Sequence, residues 1–416
     1  MIRSSALYIS IIISLLIVMI CAAIIVIAYL QHQFYQDLGR KERLMQNSRS
    51  GIKVLLQEKF KQDTTVKLSL YESLNDTVLL EKSNWGIYEL AKVTSFIGPD
   101  SLKKAYLLGF KSTDSVKALF LADEDRPLSI SGKSLIRGTA YLPKAGINAG
   151  YVEGRSYEGS RLVEGLRKVS TSKLKAPDSL ALKFIRKLCN EASHNVAGVV
   201  FPANDQVCNS FFSAPLKCFY RSGNDALKGK KISGNVIISS DSVLIADRYT
   251  SLDKVILIAA FVKIEDHFKG NLQVFATDSI RIGKGVNLTY PSALVLLKSG
   301  SAGFTPHISI GKDCTIEGQL FAWETDRSLL PPLITIADNT KIRGEVYCKG
   351  YVSLGRGVEI NGMVSTMRFL AKSSATLYDN YLIDAAIDRT RLSPYYLSPQ
   401  LLRDSLAKRK VLCRLD

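Results

Sequence analysis

The chain has 416 residues, of which 46% are hydrophobic and 22% charged, and its formal net charge is +17. This composition excludes a wholly disordered chain, and the length allows a sizeable core with more than one structural unit. The excess of positive charge favours anionic partners such as lipid headgroups, polysaccharides or nucleic acid, without choosing between them.

The first element in the chain is an apolar run from Leu7 to Leu30 that contains no charged residue. At about 1.5 Å per residue, a helix of this length spans a hydrocarbon core of roughly 30 Å. Tyr8 and Tyr29 lie near its two ends, where aromatic side chains prefer the membrane interface. We therefore predict an uncleaved single-pass anchor over residues 1–30. The alternative is a cleaved signal peptide, whose apolar region is typically only about 7–15 residues long.

The orientation of this anchor is not decided by charge, because Arg3 lies on one side and Arg40, Lys41 and Arg43 lie on the other. The very short N-terminal tail favours a translocated, extracytoplasmic body. Residues 31–60 have apolar side chains at helical spacing and are predicted to continue the helix as a stalk. A hydrophobic N-terminal helix that runs into a polar stalk resembles pilins and pseudopilins, but their processing site and the Glu that follows it have no counterpart before Leu7.

Residues 61–127 alternate between apolar and polar side chains and predict a strand-rich lobe or entry cap. A short repeated phrase then indicates a fold of stacked coils. Its five copies begin at Ile136, Ile232, Ile316, Ile342 and Ile360, each followed two residues later by Gly. Within a copy, alternate side chains are expected to face the core and the outer wall. The spacing predicts a β-solenoid over residues 128–370, interrupted by residues 146–227, with a β-sandwich as the alternative.

Coils near 18 residues in length, with I-x-I-G followed by I-x-G, resemble the right-handed β-helical core of bactofilins, the polymer-forming bacterial scaffold proteins. The resemblance covers mainly residues 308–364, with an outlying copy at 128–142. It implies a non-enzymatic β-helix that associates end to end, often at a membrane. Hexapeptide-repeat acyltransferases and pectin-lyase-like proteins share the general pattern.

The two segments outside the repeat are predicted to contain helices. Within the interruption, a helix is expected from about Ser179 to Asn190, capped by Asp178. The aromatic residues of segment 201–220, among them Phe201, are expected to pack against the repeat, with stacking on sugar rings or single-stranded nucleic acid as the alternative. Residues 371–416 predict a helical C-terminal cap, with helices over 378–387 and 399–412 that cover the exposed strand edges.

The sequence contains no motif that assigns an enzymatic reaction. Phosphate-loop, G-x-S-x-G, H-E-x-x-H and dinucleotide-binding patterns are absent, and the seven cysteines and four histidines lack metal-ligand spacing. We therefore predict no cofactor and no metal, and a non-enzymatic role is favoured. Cys208 and Cys218 are candidates for a disulfide in an oxidising compartment, with buried free thiols as the alternative. His307 and the carboxylates Asp313, Glu317 and Asp338 are interpreted as structural or solvated.

The most concrete functional prediction concerns side chains on the outer wall of the repeat. Tyr141, Phe321 and Tyr347 occupy one repeat position, and Arg137 and Arg343 occupy another. Phe321 and Tyr347 are expected to stack one coil apart. An exposed ladder of this kind would suit a glycan or a protein partner, whereas a ladder covered by residues 146–227 would be structural. We favour the covered arrangement.

Two functional hypotheses follow. The first is a membrane-anchored structural, scaffold or interaction protein of the cell envelope. Its partners would be the membrane, through residues 7–30, and either further copies of itself, associated end to end or laterally, or an envelope glycan or protein. Nucleic acid is disfavoured as a partner. The second is a glycan-binding or carbohydrate-active β-helix protein with lyase-like or hydrolase-like chemistry. An exposed cluster of two or three carboxylates beside Arg or Lys would favour the enzyme.

Overall fold

The computed structural model divides the chain into two compact units. It describes residues 2–57, 60, 63–69, 76–112, 116–194, 199–200, 205–220, 227–298, 303–325, 328–372, 376–404 and 407–415. Residues 1–83 and 91–104 form the first unit, and residues 84–90 and 105–416 form the second. The described chain is mainly β, with one long N-terminal helix.

In chain order, the first five elements are α1 (Ile2–Leu55), β1 (Thr64–Leu68), β2 (Asp76–Trp85), β3 (Tyr88–Ile97) and β4 (Asp100–Lys111). The next are β5 (Lys117–Leu121), β6 (Leu128–Ser131), β7 (Leu135–Arg137), β8 (Thr139–Leu142), β9 (Ile147–Ala149), β10 (Arg167–Val169), α2 (Ser179–His194), β11 (Val199–Val200), β12 (Gln206–Asn209) and β13 (Leu216–Tyr220).

The longest strands follow. They are β14 (Lys231–Ser240), β15 (Val243–Ala246), β16 (Ser251–Ile264), β17 (Lys269–Ile282), β18 (Asn287–Leu297), β19 (His307–Ile310), β20 (Thr315–Trp323), β21 (Leu333–Ile336), β22 (Lys341–Leu354) and β23 (Glu359–Lys372). The C-terminal elements are β24 (Leu377–Asp379), β25 (Tyr381–Ile383), β26 (Ala386–Asp388), two 3₁₀ turns (Arg389–Arg391 and Gln400–Leu402) and β27 (Lys408–Arg414).

Helix α1 of the first unit begins with an exposed apolar stretch and, among its described side chains, has buried positions only in its last part, from Leu44 to Leu55. The side chains from Leu7 to Leu30 are exposed, whereas Leu44 and Leu55 are buried. Gly51 faces the sheet so closely that an added Cβ would lie 2.8 Å from Val93 Cγ1 and 2.9 Å from Leu80 Cδ2. Among the residues that the structure describes, α1 is the one helix long and apolar enough to cross a membrane.

The second unit is built on long strands that pair in parallel. Strands β14, β16, β17, β18, β20, β22 and β23 pair successively in this order. Ile316 of β20 lies opposite Ile342 of β22, which in turn lies opposite Ile360 of β23. All three isoleucines are fully buried. The repeated phrase therefore marks the core-facing positions of neighbouring parallel strands.

The prediction of a β-solenoid is wrong, because the parallel strands close into a barrel. Strand β23 pairs with both β5 and β26, β26 pairs with β7, and β5 pairs with β8. The copy of the phrase at Ile136 precedes the interruption in the sequence. In the fold, its strand β7 pairs with β26, which in turn pairs with the last repeat strand, β23. The spacing of the isoleucines shows which side chains face inward, but it does not show which distant strands pair to complete the sheet.

The predicted helical C-terminal cap is also wrong. Strands β24, β25 and β26 occupy most of the segment in which a helix was expected, and β27 pairs antiparallel with residues 106–111 of β4. Asn380 and Asp384 have φ values of 55° and 48°, in the left-handed region. Two such residues four positions apart cannot belong to one right-handed helix, so the segment folds as short strands joined by tight turns.

Helix α2 begins at the predicted residue. Asp178 Oδ1 accepts hydrogen bonds from the backbone N–H groups of Leu180 and Ala181, both at 3.0 Å. This is the geometry of an N-cap, which satisfies N–H groups that have no partner within the helix. The buried face of α2, formed by Ala181, Ile185 and Leu188, belongs to a cluster on the outside of strands β14 and β16. Phe201, predicted to pack nearby, lies outside the described residues.

Candidate functional site

The predicted aromatic ladder is present as a buried pair. Phe321 and Tyr347 lie opposite each other on β20 and β22, and their ring centroids are 5.1 Å apart with the planes inclined by 15°. Their side chains are 0% and 2% exposed. The Tyr347 hydroxyl donates a hydrogen bond of 2.7 Å to the carbonyl of Lys175, and burial raises the pKa of Tyr347. No face of this pair is open to a glycan or a protein.

Tyr141 occupies a different environment from the buried pair. Its ring centroid lies 5.9 Å from that of Phe120. The Nζ atoms of Lys117 and Lys168 lie 5.1 Å and 5.5 Å from the Tyr141 ring centroid, within the range of a cation–π contact. Tyr141 is therefore held by cationic neighbours of its own and does not continue the Phe321–Tyr347 stack.

Both predicted arginines form ion pairs on the outer wall. Arg137 Nε lies 2.7 Å from Glu164 Oε2, and Arg137 Nη1 lies 3.0 Å from Asp388 Oδ2. The hydrogen bond to Glu164, together with the charge of Asp388, raises the pKa of Arg137. Arg343 Nη1 lies 2.6 Å from Glu317 Oε1. The five residues of the predicted partner surface therefore do not form one site.

The other residues singled out in the sequence, a histidine, an aspartate and two cysteines, have separate local contacts or burial. His307 Nε2 lies 2.9 Å from Thr335 Oγ1, and burial lowers the pKa of His307. Asp338 Oδ2 lies 2.8 Å from Lys312 Nζ, and this hydrogen bond lowers the pKa of Asp338 despite its partial burial. Cys208 is exposed and Cys218 is buried, both as free thiols, and their disulfide stays a prediction. Within the described ranges, no group of three or more His, Cys, Asp or Glu side chains is arranged to hold a metal ion.

A small cavity of about 150 Å³ lies on the outer wall of the second unit, beside Glu345. Glu345 is buried, and its Oε1 accepts a hydrogen bond of 2.6 Å from Ser398 Oγ. Burial raises the pKa of Glu345, and the Ser398 hydrogen bond only partly offsets this effect. Glu345 Oε2 and both polar atoms of the buried Gln319 side chain have no partner among the described residues. Gln319 lies opposite Glu345 in the strand register.

A larger open groove, of about 840 Å³, lies along the ends of β15, β16 and β17. Five cationic and three acidic side chains line it. The cationic residues are Lys228, Arg248, Lys263, Arg281 and Lys284, and the acidic ones are Asp247, Glu265 and Asp266. Tyr249 and Ser309 also contribute to the lining. We refer to this surface as the basic groove.

The three carboxylates of the basic groove hold its turns and cations in place. Asp247 Oδ1 accepts hydrogen bonds from the backbone N–H groups of Gly229, Tyr249 and Thr250 and from the Thr250 hydroxyl. Burial opposes ionisation of Asp247, but these hydrogen bonds outweigh it and lower its pKa. Asp266 Oδ1 accepts a hydrogen bond of 2.7 Å from the Lys284 N–H, and Glu265 Oε1 lies 3.3 Å from Lys263 Nζ. Each of the three carboxylates thus has a hydrogen-bond or ion-pair partner within the protein.

Two cations of the basic groove, Arg248 and Arg281, form no ion pair with any described residue, whereas Lys263 and Lys284 do. Lys263 lies directly opposite Arg281 on neighbouring parallel strands, and Arg281 lies opposite Ser309. Like charges in directly opposite positions destabilise a sheet. Arg281 is exposed and has no ion pair with any residue that the structure describes. Arg248 lies with its guanidinium carbon 4.6 Å from the ring centroid of the exposed Tyr249.

Sequence reasoning missed the basic groove, although a usable signal was present. Lys263 and Arg281 stand in the similar phrases Val262-Lys-Ile264 and Ile280-Arg-Ile282, and they are 18 residues apart. This is the same offset as that between Ile342 and Ile360. Extending the repeat to these less regular strands would have placed the two cations side by side on the outer wall.

Comparisons with known proteins assign no family. No family model matches the chain, and no curated protein matches it. Among solved structures, the chain is similar to the competence-associated pilin ComZ from Thermus thermophilus, with 13% sequence identity and a TM-score of 0.25 over 85% of this chain and 86% of that chain. The resemblance to bactofilins is wrong, because the strands form a closed barrel and not a β-helix. The fold thus defines a mainly β protein with one long apolar N-terminal helix.

Proposed function

We propose that this chain is a membrane-anchored structural or interaction protein of the cell envelope, with an extracytoplasmic body. One observation supports this function above the others. Helix α1 is apolar and exposed from Leu7 to Leu30, and one face of its last part, from Leu44 to Leu55, is buried in the first unit. The same helix can therefore insert into a membrane and support a folded domain.

Specific contacts fix the second half of α1 to the first unit. Arg43 Nη2 lies 2.8 Å from Asp76 Oδ2, and the Asn47 side chain donates a hydrogen bond of 3.3 Å to the same oxygen. Ser95 Oγ donates a hydrogen bond of 3.0 Å to the carbonyl of Leu44. Asp76, Asn47 and Ser95 are buried, so breaking these contacts would leave polar groups without partners.

The connection between the apolar and the packed half of α1 is helical throughout. At about 1.5 Å per residue, the stretch from Leu30 to Leu44 is about 20 Å long. A Gly- or Ser-rich linker would let a tethered domain explore a wide volume, whereas a continuous helix fixes its height above the membrane. A fixed height suits a structural element better than a tethered enzyme.

The helical stretch beyond the membrane also carries an apolar stripe. Phe34, Leu38 and Met45 are exposed, and their spacing of four and seven residues places them on one face of α1. Such a stripe is stabilised when it packs against a similar helix. Lateral association with a second copy of the chain through this face is therefore part of the proposed function.

The carbohydrate-active alternative is weaker. The basic groove has three carboxylates beside cations, which is the arrangement that would favour an enzyme. However, Asp247 and Asp266 accept hydrogen bonds from turn N–H groups, and Glu265 is paired with Lys263. The glycan-binding form of this alternative depends on the groove and not on α1.

The orientation of the body is tested with the thiol of Cys208. Two of the seven cysteines are exposed, Cys21 in the apolar part of α1 and Cys208 in the second unit. A membrane-impermeant maleimide applied to intact cells that express the full chain should label it, and Cys208→Ser should abolish the labelling. Labelling that requires permeabilised cells would place the body in the cytoplasm and contradict the proposal. Repeating the assay after mild reduction tests the Cys208–Cys218 disulfide, since an oxidised Cys208 reacts only after reduction.

Lateral association is tested on the full chain in detergent micelles. Mass photometry should show oligomers, and the double substitution Phe34→Ser/Leu38→Ser should shift them to monomers. Gln36→Ser, at an exposed polar position on the same stretch, is the matched control and should leave the distribution unchanged. If the double variant and the control behave alike, the apolar stripe does not mediate association.

A further inference from the structure

We propose that the basic groove binds an acidic polysaccharide, with Arg281 and Arg248 contacting its anionic groups and Tyr249 packing on a sugar ring. This inference does not depend on the membrane role of α1. It rests on the charge, the shape and the aromatic content of the groove.

The charge argument begins at Arg281. This exposed guanidinium lies opposite Lys263 on one side and Ser309 on the other, and the groove carboxylates are committed to other partners. Arg281 faces Lys263 across the strand pair, and the Glu265 carboxylate near Lys263 balances only one of these two charges, so the repulsion between them is incompletely offset when the groove is empty. A bound carboxylate or phosphate group removes this repulsion. It also accepts two parallel hydrogen bonds from a guanidinium, the geometry that gives arginine its preference for such anions.

Neighbouring lysines in the turns, unlike Arg281, are neutralised by carboxylates of the protein itself. Lys284 Nζ lies 3.8 Å from Asp313 Oδ2, and Lys312 Nζ lies 2.8 Å from Asp338 Oδ2. Each of these turn lysines thus meets an aspartate of the following turn. Arg281 has no corresponding carboxylate among the described residues. The contrast indicates that the charge of Arg281 is kept available for an external anion.

The shape of the groove suits an extended chain of sugars. A volume of about 840 Å³ lies in the upper part of the usual range for ligand sites, roughly 300–1,000 Å³. The groove is open at the surface, so a linear polymer can pass along it without having a chain end inside. A small buried ligand would instead require an enclosed cavity.

The aromatic content of the groove favours a polysaccharide over single-stranded nucleic acid and over a protein partner. Tyr249 is 64% exposed and is the one Phe, Trp or Tyr among the described residues that line the groove. Single-stranded nucleic acid is usually held by several aromatic side chains on which successive bases stack. The core of a protein interface is usually depleted of charged residues, whereas eight of the described residues that line this groove are charged. One exposed ring among cations fits a sugar ring that carries a carboxylate or phosphate.

The inference is tested by binding measurements on the full chain in detergent micelles. The probe is a polygalacturonate oligomer, and dextran of similar length is the neutral control. Polygalacturonate should bind and dextran should not. Arg248→Gln/Arg281→Gln should weaken polygalacturonate binding by about tenfold or more, since it removes two charge-assisted contacts. Lys133→Gln/Lys144→Gln removes the same charge from exposed positions outside the groove and should change the affinity by less than about twofold.

Several outcomes would overturn the inference. If the two double variants lose affinity equally, polygalacturonate binds through the overall positive charge of the chain and not in the groove. If dextran competes with polygalacturonate, the anionic groups are not recognised. If a single-stranded oligonucleotide binds more tightly than polygalacturonate and depends on Arg281, the groove is a nucleic-acid site. Circular dichroism of each variant separates a loss of contacts from a loss of fold.

Discussion

The inner and outer faces of the barrel strands differ in how completely their buried groups are satisfied. On the inner face, Ile316, Ile342 and Ile360 lie opposite one another in an apolar core that requires no hydrogen bonds. On the outer wall of the same strands, Gln319 and Glu345 are equally buried, yet three of their side-chain polar atoms lack partners in the described structure. The repeat thus marks these inner positions directly, whereas the burial of the outer wall depends on segments that do not repeat, such as the one that contains Lys175.

This difference predicts different responses to substitution. Inner positions should behave as a rigid, close-packed core, because each residue touches its equivalents on neighbouring strands. At outer positions, the change in unfolding free energy on substitution should depend on the segment that covers the side chain. Where the side chain is titratable, it should also depend on pH. Both tryptophans, Trp85 and Trp323, belong to the second unit, so their fluorescence reports the unfolding of this unit in the full chain.

The largest effect is expected for Gly344→Ala on the inner side of the strand. Gly344 has a φ of 151°, and a Cβ at this position would lie 1.8 Å from the carbonyl oxygen of Gly318. Because that atom belongs to the backbone, a whole strand would have to shift. We expect the free energy of unfolding to fall by at least about 4 kcal/mol. Urea unfolding followed by tryptophan fluorescence measures it.

The control for this substitution is Gly303→Ala. A Cβ added at Gly303 would have no neighbouring atom within 4 Å, so the methyl group meets open space. The unfolding midpoint of this variant should stay within experimental error of the parent chain. An equally small effect at Gly344 would show that the paired strands are loosely packed, and would remove the distinction between the two faces.

A somewhat smaller effect is expected for Phe321→Ala on the outer wall. Phe321 is fully buried and stacks on Tyr347, so its removal leaves a cavity and should cost about 3 kcal/mol. Tyr395→Ala, at an 88% exposed ring, should cost less than about 0.5 kcal/mol. If both variants unfold at the same urea concentration, the aromatic pair is not covered in solution and remains a candidate partner surface.

The sequence predicted the inner face better than the outer one for a physical reason. Strand alternation and an Ile-x-Gly phrase at a fixed offset identify buried positions without knowledge of any distant contact. The covering of Tyr347 depends on Lys175, which is 172 residues away in the chain. No local pattern encodes such a contact. The closure of the barrel through β5 and β26 likewise depends on pairing between strands far apart in the sequence.

The basic groove, too, could be predicted from the sequence only where its residues belong to the repeat. Arg281 belongs to a strand whose repeat pattern is recognisable, so its position on the outer wall could have been inferred. Asp247 and Tyr249 lie in the turn after β15, and their contribution to the groove depends on how this turn folds around Thr250. The helices expected after residue 377 failed because left-handed residues such as Asn380 are not evident from apolar spacing alone.

The pH dependence of stability should distinguish Glu345 from the inner face. Burial raises the pKa of Glu345 in the folded chain above the ordinary value for glutamate, which is about 4.3. The folded state therefore holds this proton more tightly than the unfolded state does. The associated stability is fully present below about pH 4.3 and is lost as the pH rises through the raised pKa.

The variant Glu345→Gln keeps the shape of the side chain but cannot ionise. The difference in unfolding free energy between the variant and the parent should therefore grow in favour of the variant as the pH rises above about 4.3. Unfolding curves measured at a series of pH values give this difference. A difference that is independent of pH would mean that Glu345 is ionised in the folded state or has the same pKa in both states. Ile342→Val, which changes no titratable group, is the matched control and should give a constant difference.

The smallest effect is expected for Arg343→Gln. Arg343 Nη1 lies 2.6 Å from Glu317 Oε1, but the Arg343 side chain is 56% exposed and that of Glu317 is 27% exposed. In water, the attraction between such groups is largely offset by their hydration and by the entropy of holding long side chains in place. The unfolding free energy should therefore change by less than about 1 kcal/mol, and by still less at high salt. A larger, salt-independent loss would show that this exposed pair is shielded from solvent as Glu345 is. The boundary between the covered and the open parts of the outer wall would then have to include Arg343.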